Sequence, residues 1–389
     1  MSGANRQAVI VDGLRTPFGR AHEQKGVFRA TRADELAAHC LRALIARNNL
    51  DPQLVDDVII GAALQLDELS LNAARQIALL AGLPVTCPAV TVNRLCGSSL
   101  QALHQAVHAI EAGAADVQIV AGVERMTGQL PPSPAVFHPQ LSAVTSRAAL
   151  SMGLTAEFLA QRFRISRAEQ DAWALRSHQL AAAVHPVAGL LPEILPTPAL
   201  SEAGTSFMAT TDQGVRADTS LAALAKLPPA FLAREGTITA GNSSPRNDGA
   251  AALLVMSAER ARALGYQALA RVRATTVVGI SPSEMGLGPV PAIAKALHQA
   301  QLSLCDLSTI ELNEAFAAQT LACIRQAKLN PSLINGRGGA IAIGHPLGAS
   351  GARLIISLIH SLHLSGGELG LAAMCIGMGQ GIATVIERS

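Results

Sequence analysis

Two parts of this chain repeat one another 252 residues apart, and no other feature restricts its fold so strongly. Leu50–Gly61 (LDPQLVDDVIIG) is echoed by Leu302–Asn313 (LSLCDLSTIELN), with Val58 falling on Ile310. The same offset lays Ala115–Ala121 on Gly367–Ala373, each a short apolar strand entered after an acidic residue. It carries Cys96 onto Gly348 and Ser98 onto Ser350. Leu103, Val107 and Ile110 fall on Ile355, Ile359 and Leu362, at helical spacing in both copies. Two similar units of alternating strand and helix predict an α/β fold with parallel or mixed sheets covered by helices, sharing an interface. Residues 122–247 have no counterpart and hold Pro-rich loops at Leu130–Pro134 and Leu191–Pro196, the mark of an insertion. One helix is predicted there, Ser166–Ala183, with Ser166 and Glu169 forming a capping box. The rest of the insertion reads as irregular covering structure. The expected domains are therefore 1–121, completed by about 248–265, then the inserted 122–247, then 266–389.

Composition narrows the function classes. Of 389 residues, 49% are hydrophobic and 33 are glycine, which suits helices packed closely on sheets. A net charge of +2 with 3% aromatic residues leaves no cationic stripe or stacking platform for nucleic acid. The most apolar stretch, Gly338–Leu358, is interrupted by His345-Pro346 and Arg353, so no membrane span is predicted. The six cysteines show neither C-x-x-C pairs nor zinc-ligand spacing, and no targeting segment precedes the strand-like Ala8–Val11. A cytoplasmic protein without a metal is expected.

Four places carry chemistry. In Val90–Leu100 (VTVNRLCGSSL) a β-branched run gives way to Cys-Gly-Ser-Ser and then to a helical pattern, placing Cys96 at or beside a helix N-terminus. The helix dipole there can bring a cysteine pKa from about 8.5 into the range of about 3.5–7.5, though cysteines are also common packing residues. His345 lies in Gly338–Gly351 (GGAIAIGHPLGASG), where glycines leave it exposed by its surroundings and free to reach a thiol or substrate, unless it is a hydrogen-bonded turn histidine. Cys375 follows the strand Leu369–Ala373 in Met374–Gly381 (MCIGMGQG). Asn313, at the strand-to-helix junction of Ile310–Gln319 (IELNEAFAAQ), suits a water or an oxyanion, and equally a helix cap.

The segments Asn93–Leu100 (NRLCGSSL), Asn313–Gln319 (NEAFAAQ), Gly338–Gly351 and Cys375–Gly381 (CIGMGQG) resemble, in order, the signatures of the thiolase family. The resemblance extends to Val9–Gly19 (VIVDGLRTPFG) and Thr239–Ser244 (TAGNSS), and so spans essentially the whole chain. Cys375–Arg388 and Met152–Glu157 look most like the β subunits of bacterial fatty-acid oxidation complexes. This resemblance implies a duplicated thiolase fold in five layers, α-β-α-β-α, with the insertion as a loop domain contacting coenzyme A. By motif, Cys96 would be the nucleophile, His345 its base and Cys375 a second acid/base. Asn313 would hold a water, and the N–H groups of Cys96 and Gly377 would receive the acyl oxyanion. Arg216, Ser244 and Met152 match positions that contact CoA, which is a substrate; no cofactor is implied.

The implied activity is CoA-dependent thiolysis of 3-ketoacyl-CoA in fatty-acid β-oxidation. The alternatives are an acetyl-CoA C-acetyltransferase working in the condensing direction and a non-catalytic acyl-CoA or lipid-binding relative. The paired cysteine in CIGMGQG speaks against a ketoacyl-ACP synthase. The implied partners are a second copy, as dimer or dimer of dimers, and a multifunctional hydratase/dehydrogenase α subunit. Pro228, Ser151 and Arg337 depart from the family pattern and bear on the CoA pocket and on the support beneath the His345 loop. Cys40 and Cys323 lie on apolar helix faces and are expected in the core.

Overall fold

The computed structural model describes residues 6–129, 137–184 and 193–389; the loop expected at Leu130–Pro134 and the start of that at Leu191–Pro196 lie outside the described residues. The first unit runs β1 (Ala8–Arg15), β2 (Gly19–Arg20), α1 (Ala33–Arg47), β3 (Asp57–Gly61), α2 (Ala73–Leu80), β4 (Ala89–Val92), α3 (Ser98–Glu111) and β5 (Val117–Glu124). Next come α4 (Met152–Arg162), α5 (Arg167–Ala183), the hairpin β6 (Thr197–Leu200) and β7 (Ser206–Ala209), and α6 (Leu221–Ala225). The chain then re-enters the sheet as β8 (Asn247–Ser257), followed by α7 (Ala258–Ala263). The second unit comprises β9 (Ala270–Gly279), α8 (Pro289–Ala300), β10 (Thr309–Leu312), α9 (Ala317–Ala327), α10 (Ala340–Ile343), α11 (Leu347–Ser365), β11 (Leu369–Ile376) and β12 (Gln380–Arg388).

The repeat is visible in these elements. β3 and β10 begin at 57 and 309, and β5 and β11 are eight-residue strands beginning at 117 and 369. The strands line up as β4-β3-β5-β8-β1 and then β9-β12-β11-β10. The two halves meet at β1 and β9 through only two residue pairs, Val9 with Arg271 and Ile10 with Ala270. The match lapses at β4, whose counterpart in the second unit is the short α10, so that unit lacks one edge strand.

Alternation along the strands produces the layers. In β8, Ala252, Leu254 and Met256 join an outer core with α1 and α2, while Ala251, Leu253 and Val255 enter a central core with α3 and α11. In β11, Ala372, Met374 and Ile376 face that same central core, and Leu371 and Ala373 face a second outer core with α8 and α9. Both faces of each sheet are therefore covered, which is why these strands read as nearly continuous apolar runs. The result is the five-layered α-β-α-β-α arrangement. By length and composition α11 is apolar enough to cross a membrane, but 83% of its most apolar window is buried inside the protein, where it is the middle of the central core.

In the insertion, α5 begins with the expected capping box: Ser166 N–H donates to Glu169 Oε2 at 2.8 Å and Glu169 N–H to Ser166 Oγ at 3.2 Å. The expectation of a single helix there is corrected by α4 and the short α6. The period of α4 is masked because a buried carboxylate, Glu157, interrupts the apolar face; that carboxylate accepts from the N–H groups of Thr237 and Ile238 at 3.0 Å.

Candidate active site

The turn between β4 and α3 presents Cys96. Leu95 takes a left-handed φ of 45°, held by Leu95 N–H donating to Asn93 Oδ1 at 2.9 Å and by Ser98 Oγ donating to the Leu95 carbonyl at 2.6 Å. Cys96 thus sits one residue before Gly97, the N-cap of α3, partly exposed. Facing it is the β11–β12 hairpin, which turns through Gly377, Met378 and Gly379. The backbone N–H groups of Gly377 and of Cys96 itself lie near enough to the Cys96 sulfur to favour its thiolate. Burial nevertheless dominates and pushes the thiol up to about 11, with the Glu124 carboxyl adding to the rise. Burial therefore moves this thiol opposite to the expected fall toward neutrality.

Cys375, the penultimate residue of β11, is 2% exposed and lies opposite Gly381. Burial raises it well above the ordinary thiol range, and the neighbouring Cys96 and Cys323 thiols add to that. It shares a small apolar cluster with Ile238, Met285 and Phe316, against which Met152 packs.

His345 follows Gly344, which has a φ of 118° and where an added Cβ would lie 2.7 Å from the Asn247 side chain. The histidine is 5% exposed, which corrects the expectation of an exposed ring: Asn247 Oδ1 accepts from its N–H at 2.9 Å and closes the loop over it. Its Nδ1 lies 2.6 Å from Ser350 Oγ, and that hydroxyl donates to the Pro346 carbonyl at 2.8 Å. Ser350 must then accept from His345, which puts the proton on Nδ1 and leaves Nε2 with a free lone pair. Asn313 Nδ2 approaches Nε2 at 3.5 Å. Burial, reinforced by Arg353, draws the imidazole down to about 3, so it is neutral at physiological pH.

Asn313 is fully buried directly after β10, its N–H donating to the Ala373 carbonyl at 3.0 Å. Because α9 starts at Ala317 with Phe316 at its cap, the helix-capping reading of Asn313 falls. Its Oδ1 meets no donor among the described residues, which suits a bound water.

Of the other predicted residues, Ser244 ties TAGNSS to NEAFAAQ, its N–H and hydroxyl donating to the Ala315 carbonyl at 3.0 and 3.1 Å. Arg216 stands apart from the thiols. It is exposed at the rim of a cavity of about 240 Å³ lined also by Arg20, His178, Thr219, Gly241 and Asn247. Asn247 therefore links this cavity to the His345 loop. Arg337 closes a buried clasp beneath that loop: Arg337 Nη1 donates to Glu193 Oε2 at 2.6 Å, and Arg15 Nε to Glu193 Oε1 at 2.8 Å. Cys40 and Cys323 are fully buried on α1 and α9, as expected.

Sequence reasoning missed Ser350 and Glu314 as parts of the site. The repeat held the signal for Ser350, since its counterpart Ser98 likewise donates to a carbonyl in the turn before its helix. Glu314 accepts from Trp173 Nε1 at 3.0 Å, Ser177 Oγ at 2.7 Å and Asn335 Nδ2 at 2.9 Å, supporting Gly339 from below. These partners come from distant parts of the chain and leave no local pattern.

Two repeated α/β units that bring two thiols, an imidazole and a buried amide to their junction define the class, and the chain belongs to the thiolase family. The thiolase N-terminal domain model matches residues 8–259 and the thiolase C-terminal domain model residues 266–388. The chain is 50% identical over 388 residues to a 3-ketoacyl-CoA thiolase of Aliivibrio fischeri, covering 98% of this chain and 100% of that protein. It is 50% identical over 385 residues to one of Serratia proteamaculans, covering 98% and 99%. Among solved structures it resembles human mitochondrial 3-ketoacyl-CoA thiolase (TM-score 0.90, 36% identity, 100% of both chains). It also resembles the Bacillus anthracis acetyl-CoA acetyltransferase (TM-score 0.89, 36% identity, 100% of both chains).

Proposed function

We propose that this chain is a 3-ketoacyl-CoA thiolase, an acetyl-CoA C-acyltransferase of fatty-acid β-oxidation, with Cys96 as nucleophile. The observation that carries the reading is the close meeting of the nucleophile turn of one unit with the hairpin of the other that bears Cys375: a Cβ on Gly377 would lie 3.1 Å from Leu95 Cδ1, and one on Gly97 2.6 Å from Ile376 Cδ1. The full-length similarity to proteins of that name supports it.

The steps follow from the protonation states. The neutral His345 accepts the Cys96 proton at Nε2, and the sulfur attacks C3 of the ketoacyl-CoA. The C2–C3 bond breaks, leaving an acyl thioester on Cys96 and an acetyl-CoA enolate, which takes a proton at C2 from the Cys375 thiol. The enolate oxygen is stabilised by His345 and by a water on Asn313. Cys375, now a thiolate, removes the proton of incoming CoA; the CoA sulfur attacks the acyl carbonyl, and Cys96 leaves and recovers its proton from His345. The N–H groups of Cys96 and Gly377 serve the acyl oxyanion, a contribution typically of about 10²–10³ in rate per donor. The raised thiol pKa values fit this scheme, because each thiol must hold its proton until a partner takes it. In this reading Arg216, Ser244 and Met152 contact CoA, a substrate, and neither metal nor redox cofactor takes part. The cytoplasm is the compartment that fits free thiols and CoA.

A purified sample assayed with CoA and 3-ketoacyl-CoA of increasing chain length tests the proposal. Thiolysis is expected, with Cys96→Ala slowing it by roughly 10³-fold or more; undiminished turnover in that variant would overturn the reading. The likeness to an acetyl-CoA acetyltransferase favours a second reading, a condensing enzyme, which a preference for acetoacetyl-CoA over longer substrates would select. Binding of acyl-CoA without turnover would select a non-catalytic carrier. A homodimer or dimer of dimers and a complex with a hydratase/dehydrogenase subunit belong to the same proposal, with sedimentation and co-purification as their measurements.

A further inference from the structure

The turn that presents Cys96 and the hairpin that carries Gly377 and Cys375 come from different units, 280 positions apart at Cys96 and Ile376, and they pack directly against each other: a Cβ on Gly377 would lie 3.1 Å from Leu95 Cδ1, and one on Gly97 2.6 Å from Ile376 Cδ1. Both turns include residues in the left-handed region, Leu95 at φ 45° and Met378 at φ 63°, conformations that a non-glycine residue keeps only when its surroundings hold it there. On its outer side the hairpin tip is anchored to the end of β9, with Ile280 N–H donating to the Gly379 carbonyl at 2.8 Å. On the side of the nucleophile turn the side-chain anchor is Arg94. Its Nη1 donates to Gln380 Oε1 at 2.8 Å and its Nε to Gln101 Oε1, on α3, also at 2.8 Å. Its backbone N–H is fixed by Ser98 Oγ at 3.0 Å. Gln380 is the first residue of β12 and faces Ile376 across the hairpin, so gripping it fixes the three residues between them, Gly377 included.

We propose that Arg94 and Gln380 form a positioning clasp that sets the distance between the Cys96 turn and the hairpin carrying the Gly377 N–H and Cys375. The proposal rests on the thiolase reading of this site. Neither residue takes part in a bond change; the clasp works by keeping the Gly377 donor near the nucleophile and on the oxyanion formed beside it. A donor displaced by a fraction of an ångström no longer meets the developing charge.

The test uses the full chain with Arg94→Gln, Gln380→Ala, the double variant, and Gln380→Glu, which keeps an acceptor for Arg94. Each of the first two is expected to lower kcat by about 10- to 100-fold while KM for CoA stays within about twofold. The double variant is expected to be no worse than the poorer single, because one link is lost in all three. Gln380→Glu is expected to restore kcat to near the parent value. A second readout needs no turnover: the pH profile of Cys96 alkylation by iodoacetamide, followed at the Cys96 peptide by mass spectrometry, is expected to move to higher pH in Arg94→Gln and Gln380→Ala, because the thiolate loses a donor. An unchanged kcat and alkylation profile, or additive losses in the double variant, would overturn the clasp. Should Gln380→Ala fail to fold, Arg94→Gln carries the same expectations. Retained thiolysis in Cys96→Ala would remove the thiolase reading and leave the alkylation profile as an independent test of the clasp.

Discussion

Ser350 decides what His345 can do. By accepting from Nδ1 at 2.6 Å while giving its own proton to the Pro346 carbonyl, it fixes the tautomer that exposes a basic Nε2. Ser350→Ala is expected to lower kcat for thiolysis by about 10- to 100-fold, because the ring then samples the unreactive tautomer and loses its orientation. Stability should fall by only about 1–3 kcal/mol for the unpaired buried groups, so a thermal melt separates the two effects. At this scale the sequence singles out candidate side chains but not their environment. Cys96, His345 and Cys375 stand out because reactive side chains sit beside glycines in turns, and Asn313 because a polar residue ends an apolar strand. That His345 is buried and Cys96 shifted upward follows from what packs over them, chiefly Asn247 and the opposite hairpin, and these are set by the tertiary fold.

The repeated elements approach each other backbone to backbone at the site. A Cβ on Gly122, in β5, would lie 2.1 Å from the Gly348 carbonyl oxygen at the start of α11, and one on Gly348 would lie 2.3 Å from the Val123 carbonyl oxygen. Backbone cannot yield as a flexible side chain can. Gly122→Ala is therefore expected to cost at least about 1–3 kcal/mol and to separate the two units at the position that seats the His345 loop. Gly336→Ala, with nothing within 4 Å of the added carbon, should change urea unfolding by no more than about 0.5 kcal/mol. Element by element, the repeat spelled out β3, β5, β10, β11, α3 and α11, since their apolar residues return at the 252 offset. It did not foretell that the counterpart of β4 would wind into α10. Nor did it show α4, whose buried Glu157 is stabilised by N–H donors about 80 residues away.

At the scale of the whole molecule, buried ionisable groups make stability depend on pH in a defined direction. His104, His178, His345 and His360 are buried, with pKa values drawn down by desolvation to about 3, 4, 3 and 4. Below about pH 6.5 each binds a proton in the unfolded chain but not in the folded one, so acid withdraws stability. Glu193 acts in the same sense: burial opposes its ionisation, but Arg15 and Arg337 hold it well below the carboxylate range, and its contribution fades as pH falls. Glu124 and Glu311 act oppositely. Burial lifts both to about 7, so their contribution is complete below the unfolded value near 4.5 and is lost as pH rises through 7. Between about pH 4.5 and 6.5 four histidines favour the unfolded chain and two glutamates the folded one, a net of two protons taken up on unfolding. The unfolding free energy is thus expected to rise with pH there by up to about 2.7 kcal/mol per unit, and to level off or decline slightly near pH 7. Urea titrations across that range measure the slope directly. His104→Gln, whose amide can still hydrogen-bond the Thr384 hydroxyl that His104 meets at 2.8 Å, removes one of the net two protons and should halve the slope to about 1.4 kcal/mol per unit. A slope unchanged by that substitution would mean that His104 is protonated in the folded protein, which its place between α3 and β12 in the central core does not allow without a large penalty.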